Sequence, residues 1–560
     1  MPAERLRVVL LWHMHQPVYR EPLAGRYLAP WTYLHGIKDY SDMATHLEDQ
    51  PGAAAVVNFS PALLEQLEDY CRQLEGFLGG HGSLRDPLLA ALGGVALPSG
   101  IEERRALLSA CLMLQRQRMV EPYAPFRLLA EMADWMLARP AAVAYIEAQF
   151  LADLLVWYHL SWLGETVRRA EPRAIELMAK GRGYTAQDRR TLLALIHDVL
   201  KGIVPRYRAL AQDSRIELSM NPYAHPILPL LLDFNAAREA RPDLSLPESG
   251  CYPDGATRAE WHLERGKDIF GRSFGAAPSG CWPSEGAVSR ASVSLLGRHG
   301  LRWAATGQRV LQNSLGVDPI PSDALHRAYQ FEGSEVTLFF RDDELSDLVG
   351  FRYKDWHADD AVADLTNRLA AIAEAEAEPG RVVTIALDGE NAWEHYPNNG
   401  YFFLSALYRA LSQDARFDLT TFSRCVEDAG VTKRPLPQLV AGSWVYGDLT
   451  TWMGDPDKNR AWDMLVDAKS ACHEALESRR FSEADVARIE QQLAVCEGSD
   501  WFWWPGDYNP EGVVAQFEHL YRLQLQGLYD LLKESPPDYL GTPFSRGKAG
   551  VQGGVMRPGS

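Results

Sequence analysis

Two stretches of this chain hold carboxylates in settings suited to acid–base chemistry. LDGENAWEHY, Leu387 to Tyr396, puts Asp388 at the end of the apolar run VVTIAL, with Glu390 one glycine further on. GCWPSE, Gly280 to Glu285, puts Glu285 in an aromatic loop stiffened by proline. The two stretches are far apart in sequence. Each follows an apolar strand candidate and each carries a tryptophan. Cleaving a glycosidic bond takes two carboxyl groups flanking one linkage, one to give a proton and one to attack or to activate water. Tryptophan adds a flat apolar face for a pyranose ring and an N–H for a hydroxyl.

Further candidates lie at the ends of other apolar runs. His13 and His15 follow VVLLW, and side chains two apart on a strand share a face. That spacing also suits metal ligation, which needs a third ligand and an open position. His225 and several aspartates are available, but nothing groups them in sequence, so sugar binding and metal ligation both stay open here. Asp388 and Glu390 share a face if the strand continues through Gly389 and diverge if the chain turns there. Asp-Gly also serves as an ordinary strand-end turn.

Something must hold these groups together. Short apolar or β-branched runs occur at LRVVLLWHMH, AAAVVNFSP, RIELSMNPYAH, the approach to GCWPSE, LRWAAT and VVTIALDG, with FDLTTFSRCVED as a seventh. Helical patterns separate many of them, which argues for a parallel α/β sheet, and this number of repeats favours a closed barrel. Catalytic groups in a barrel gather at the C-terminal ends of its strands, and the residues named above obey that polarity. Residues 101–211 are largely helical and too long for one crossover, so they read as an inserted set of helices. ALHRAYQFEGSEVTLFFRDD reads as a β-hairpin about its Glu-Gly turn. The barrel with its insertion is assigned to residues 1–435, a helical domain to 436–540, and a loose tail to 541–560.

Bulk properties narrow the function classes. The chain has 560 residues, 46% of them hydrophobic and 23% charged, in the range of globular proteins. A net charge of −18 disfavours a nucleic-acid partner. The 7 cysteines are dispersed without a CxxC pair, which excludes a disulfide framework or zinc-finger pattern, and Cys281 reads as a packed thiol. No signal-peptide shape and no run near ~20 apolar residues is evident, so a cytoplasmic protein without a membrane partner is expected. No phosphate loop or other cofactor motif is present.

Beyond these readings, HMHQP at 13–17, NPYAHPILPL at 221–230, GCWPSEGAVS at 280–289, LDGENAWEHY at 387–396 and SWVYGDLTTWMGDPDKNRAW at 443–462 resemble the five ordered motif regions of glycoside hydrolase family 57, the α-amylase and amylopullulanase group. IKDYSDM, LSDLVGFRY and EGSDWFWWPGD add to the likeness, which runs to about residue 535. The resemblance implies an incomplete (β/α)7 barrel followed by a helical domain that closes over the site, and a retaining mechanism. It implies Glu285 as nucleophile and Asp388 as general acid/base. Separately, neither a cofactor nor a metal is expected. The resemblance implies that His13, His15, His225, Trp282, Glu390 and Trp393 line the reacting-sugar subsite. Asp347, Trp452, Asp500, Trp501 and Trp504 would contribute from the outer shell or helical domain, although for Trp452 and Trp462 core packing is an equal alternative. Asn221 and Ala224 stand where the family carries a threonine-rich TTPYYHP-like form, which bears on chain-length or linkage preference.

The expected substrate is an α-glucan such as glycogen, starch or a maltooligosaccharide, cleaved at α-1,4 and also α-1,6 bonds. Transglycosylation, as in a 4-α-glucanotransferase or branching enzyme, uses the same intermediate. A metal-dependent deacetylase-like hydrolase and a non-catalytic glucan binder are the remaining alternatives. A retaining pair stands ~5–5.5 Å apart. Glu390 and the tryptophans are expected to raise the acid's pKa, and nearby donors such as the histidines to keep Glu285 ionised.

Overall fold

The computed structural model describes residues 4–375 and 378–550. Ten strands form one mostly parallel sheet. They are β1 (Leu6–Met14), β2 (Ala55–Phe59), β3 (Ile216–Met220), β4 (Gly280–Cys281), β5 (Trp303–Thr306), β6 (Ala328–Phe331), β7 (Thr337–Phe340), β8 (Val382–Asp388), β9 (Phe417–Thr420) and β10 (Lys433–Leu436). The order β8-β1-β2-β3-β4-β5-β7 is parallel throughout. Its two ends meet through a single bridge between Arg341, just past β7, and Thr384 of β8. Seven strands therefore curl into a barrel whose last seam is barely stitched: an incomplete (β/α)7 barrel, as the resemblance implied.

The seventh barrel strand differs from the sequence expectation. It is β7, the second arm of the hairpin, which pairs antiparallel with β6 on one side and parallel with β5 on the other. The stretch FDLT does form a strand, β9, but it pairs with the first half of β1, from Leu6 to Val9, and stays outside the ring. Leu11 to Met14 of β1 pair with β2, so β9 and β2 share one edge of β1 at different heights.

Strands β1 and β8 are buried on both faces, which explains why they read as unbroken apolar runs. Each fully buried Val, Leu or Ile there contributes about 1.5–3 kcal/mol. Helices cover the outside. Ser60 caps the helix Pro61–Leu78, which starts directly after β2, and further helices follow up to Ala186–Gln212 before β3 begins. This is the inserted helical set. After Gly442 the chain is again helical, with Pro456–Glu477, Glu483–Cys496 and Glu511–Leu532 as its long members. Of the predicted tail, residues 551–560 lie outside the described residues. No helix among the described residues is long and apolar enough to cross a membrane.

Candidate active site

The C-terminal ends of the barrel strands open into a cleft of about 500 Å³. Parallel register sets its floor. His13 of β1 stands level with Asp388 of β8 on one side and Asn58 of β2 on the other, and Asn58 stands level with Ser219 of β3. Side chains at one level of a parallel sheet face the same way. The Asn58 amide donates to Ser219 Oγ at 3.1 Å. Its carbonyl oxygen, 2.7 Å from His13 Nδ1, must then accept a proton from that nitrogen. His13 Nε2 is left to accept from His225 Nε2 at 3.1 Å, and His225 Nδ1 to accept from the Ser499 hydroxyl at 2.8 Å. This chain of bonds needs both imidazoles neutral. Burial, with the charge of His15 adding to it, pushes His13 down to about 3, and burial pushes His225 well below the usual histidine range.

His15, two residues along, faces the opening. Its Nδ1 is 2.8 Å from Ser60 Oγ, the helix cap, and its Nε2 is 3.1 Å from Asp500. Ser499 and Asp500 come from the chain that follows the barrel, so that segment completes the histidine cluster. His15, His225 and Asp500 are close enough to share an ion by distance. Their geometry argues otherwise. The rings of His15 and His225 stack at 3.8 Å and 16°, so their in-plane lone pairs run side by side and do not converge on one point. Both nitrogens of each ring also already have partners.

Gly389 explains the DGE spacing. Its N–H bonds to the His13 carbonyl at 2.7 Å, and a Cβ there would meet the Met14 sulfur at 2.1 Å. The chain passes close over β1, and Asp388 and Glu390 both end on the cleft wall. Glu390 Oε1 accepts from Gln16 at 3.1 Å and from the His15 backbone at 3.4 Å, while its buried Oε2 has no partner among the described residues. Burial raises the Asp388 pKa, against a hydrogen bond from Asn391 and the nearby positive charge. Burial and then the Asp388 charge raise Glu390 well above the carboxylate range. The expected direction for Asp388 is therefore found, but its main cause is burial; the cost of the like-charge neighbour falls on Glu390.

Glu285 reaches the same cleft from the end of β4. Its backbone adopts φ 56°, and that of His225 φ 60°, a left-handed conformation that costs a non-glycine residue about 1–3 kcal/mol. One of these strained residues faces the cleft and the other, His225, is buried directly behind it. Gly442 and Val288 bridge antiparallel, which lays Trp444 over Glu285. The Trp444 backbone N–H bonds to the Glu285 carbonyl at 3.3 Å, and its indole N–H donates to Glu285 Oε2 at 3.0 Å. The neighbour expected to support Glu285 was a histidine; His225 Nδ1 is 3.9 Å away, and the indole is the nearer donor.

Of the residues named from sequence, Glu285, Asp388, Glu390, His13, His15, Trp452, Asp500 and Trp504 meet at this cleft. His225 sits fully buried behind the other histidines. Trp282, Trp393 and Trp501 do not line the cleft. All three are at most 2% exposed. Trp282 packs on Trp444 and His13, Trp393 on Trp12 and Phe403, and Trp501 on Tyr521, so protein already covers their rings. Asp347 binds Arg341 at 2.7 Å and stands outside the cleft wall. Cys281 is buried, and burial raises its thiol, as a packed residue requires.

Sequence reasoning missed Trp444, Arg341, Trp31, Trp162 and Trp503, all on the cleft wall. Arg341 is held by the Ala386 carbonyl, Asp343 and Asp347 and lies 5.4 Å over the Trp444 ring. Trp444 stands inside the SWVYG motif, which was a usable signal. Arg341 follows a hairpin arm and offered none.

A profile of glycosyl hydrolase family 57 matches residues 9–437, a span that contains both carboxylate loops and the histidine pair. The chain belongs to this family. No curated protein sequence matches it. In structure it is similar to several solved proteins at low identity, a likeness of fold. One is a branching enzyme from Thermococcus kodakaraensis, with 15% identity over 94% of this chain and 90% of that one and a TM-score of 0.55. Another is the α-amylase AmyC from Thermotoga maritima, with 14% identity, 97% of both chains and a TM-score of 0.55. A third is a 4-alpha-glucanotransferase from Thermococcus litoralis, with 13% identity, 94% of this chain and 60% of that one and a TM-score of 0.52.

Proposed function

We propose that the protein cleaves α-glucosidic bonds of an α-glucan with retention of configuration. The observation that carries this reading is that Glu285 and Asp388, from the ends of different strands, line one cleft with unlike surroundings. Glu285 has an indole N–H on its carboxylate, which favours the charged form a nucleophile needs. Asp388 is held in an environment that favours its protonated form. Asp388 gives its proton to the leaving oxygen as Glu285 attacks the anomeric carbon. The C–O bond breaks, a glycosyl ester forms on Glu285, and Asp388, now ionised, takes a proton from the incoming hydroxyl as that ester opens. Asp500 and Asn391 on the cleft wall offer hydrogen-bonding groups to sugar hydroxyls, and Trp31 and Trp504 offer apolar faces to flanking rings.

Whether water or a second sugar opens the ester separates a hydrolase from a transferase. The aromatic cleft wall favours the sugar: Trp31, Trp162, Trp452, Trp503, Trp504 and Phe517 give an acceptor more to bind than they give water. The structural likeness to a branching enzyme and a glucanotransferase accords with that second reading.

The test is product analysis on amylose, with the anomer formed first followed by NMR. The expected first product carries the α configuration, either as a new reducing end or as a glucan moved to another chain. A β-anomer formed first would refute the roles given to Glu285 and Asp388.

A further inference from the structure

The segment after β8 faces three hollows in succession. Glu394 lines the catalytic cleft and also a small hollow beside Trp393 and Asn399. Tyr396 and Pro397 line that hollow and also a larger trough of about 640 Å³. Glu394 and Pro397 are three residues apart, so their Cα atoms lie within about 11 Å even if the chain is fully extended. A long polymer with one linkage in the cleft has the trough within reach.

The trough has the features of a carbohydrate surface. Trp356 and Phe402 line it and are 47% and 50% exposed, in a chain that buries most of its large aromatics. Tyr401 stands beside Phe402, and the Arg169 guanidinium lies 4.7 Å and 5.3 Å over their two rings, which fixes them before any ligand arrives. His46 supplies a polar group. Its side chain is 2% exposed and lines the trough, its Nδ1 is 3.2 Å from Ser405 Oγ, and its Nε2 has no hydrogen-bond partner among the described residues. A sugar hydroxyl both donates and accepts, so it satisfies that nitrogen in either tautomer. Asp49, Gln50 and Arg409 add hydrogen-bonding groups at the rim.

We propose that this trough is a second glucan-binding site, which holds a distal stretch of the same polymer and raises the protein's affinity for long chains. The proposal rests on the α-glucan reading given above. Fixed aromatic faces ringed by hydroxyl-binding groups suit a neutral polysaccharide, and the run of hollows toward the catalytic cleft favours a polymer over an unrelated partner.

The test is affinity electrophoresis of the full chain in gels containing glycogen. The wild type is retarded, and Trp356→Ala and Phe402→Ala each weaken the apparent affinity at least five-fold with an unchanged thermal denaturation midpoint. Trp356→Tyr, which keeps a flat ring, recovers most of the retardation. Trp135→Ala, at an exposed aromatic elsewhere, leaves it unchanged. Equal retardation of Trp356→Ala and the wild type overturns the trough assignment, as does a wild type that glycogen does not retard. The underlying reading fails on a different result: no bond in amylose or glycogen cleaved or transferred by the wild type.

Discussion

Two buried glutamates in this protein have opposite fates. Glu497 lies where the helices after the barrel meet Gly255–Phe274. It accepts from Tyr252 at 2.5 Å, from Arg258 at 2.8 and 2.9 Å, and from His262 at 2.7 Å. Glu390, at the cleft, accepts from Gln16 and one backbone N–H, has an oxygen without a partner among the described residues, and stands beside Asp388. Both are almost wholly buried. The positive charge of Arg258 and the donors around it overcome burial and hold Glu497 down at about 2, while burial and the Asp388 charge drive Glu390 up. Burial alone thus does not set the protonation of a carboxylate; the completeness of its partners does. A saturated cluster fixes structure. An unsaturated one leaves bonding capacity for a substrate, at a cost in stability.

The largest expected effects separate these roles. Glu285→Gln should lower kcat by more than about 10³-fold, as loss of a nucleophile does, with little change in the urea unfolding midpoint. Glu497→Ala should do the reverse. It strands the Arg258 charge in the interior and costs about 3–5 kcal/mol of unfolding free energy. The wild-type contribution of Glu497 is full above its unfolded pKa of 4.5 and is lost as pH falls toward about 2. A Glu497→Ala protein as stable as the wild type at pH 7 would break the comparison.

Trp444→Phe sharpens it within the cleft. The ring is kept and the N–H on Glu285 is lost. A hydrogen bond to a charged group is worth about 1.5–3 kcal/mol, so kcat/KM should fall roughly ten- to a hundred-fold with stability little changed. An unchanged kcat/KM would mean that the indole packs beside Glu285 without supporting its charge.

What the sequence disclosed follows the same division between local and long-range causes. Asp388 was legible because VVTIAL is a continuous apolar run, the mark of a strand buried on both faces, and a polar residue at its end must face the barrel mouth. β4 is only two residues long, and Glu285 was found from its motif, since propensity says little at that length. The hairpin was legible from its turn, but nothing local tells which arm joins a ring, so β7 was not recognised as the seventh barrel strand and β9 was taken for it. Trp444 reaches Glu285 only because Val288 bridges Gly442. Arg341 reaches the cleft only because it closes the seam against Thr384. Trp282 and Trp393 stand beside the acids in sequence, yet their rings turn inward, because neighbours in sequence fix where a Cα lies and leave ring direction to packing.

The smallest effect tests the comparison most directly. Glutamine has the shape of a protonated glutamate, and burial with the Asp388 charge favours the protonated form of Glu390. Glu390→Gln should therefore leave the alkaline limb of the kcat/KM profile where the wild type has it, since that limb reports Asp388, whose pKa is raised chiefly by burial. The stability effect has a definite sign. The folded pKa of Glu390 lies above its unfolded value of 4.5, so the native state loses relative stability as pH climbs from 4.5 toward that raised value. Glu390→Gln removes this loss. Its stability should match the wild type below pH 4.5 and exceed it increasingly at higher pH, read as a difference in urea unfolding midpoint that opens only above pH 4.5. If the alkaline limb instead moved to lower pH, Glu390 would be ionised in the working enzyme. Repulsion between the two carboxylates, more than burial, would then hold the proton on Asp388.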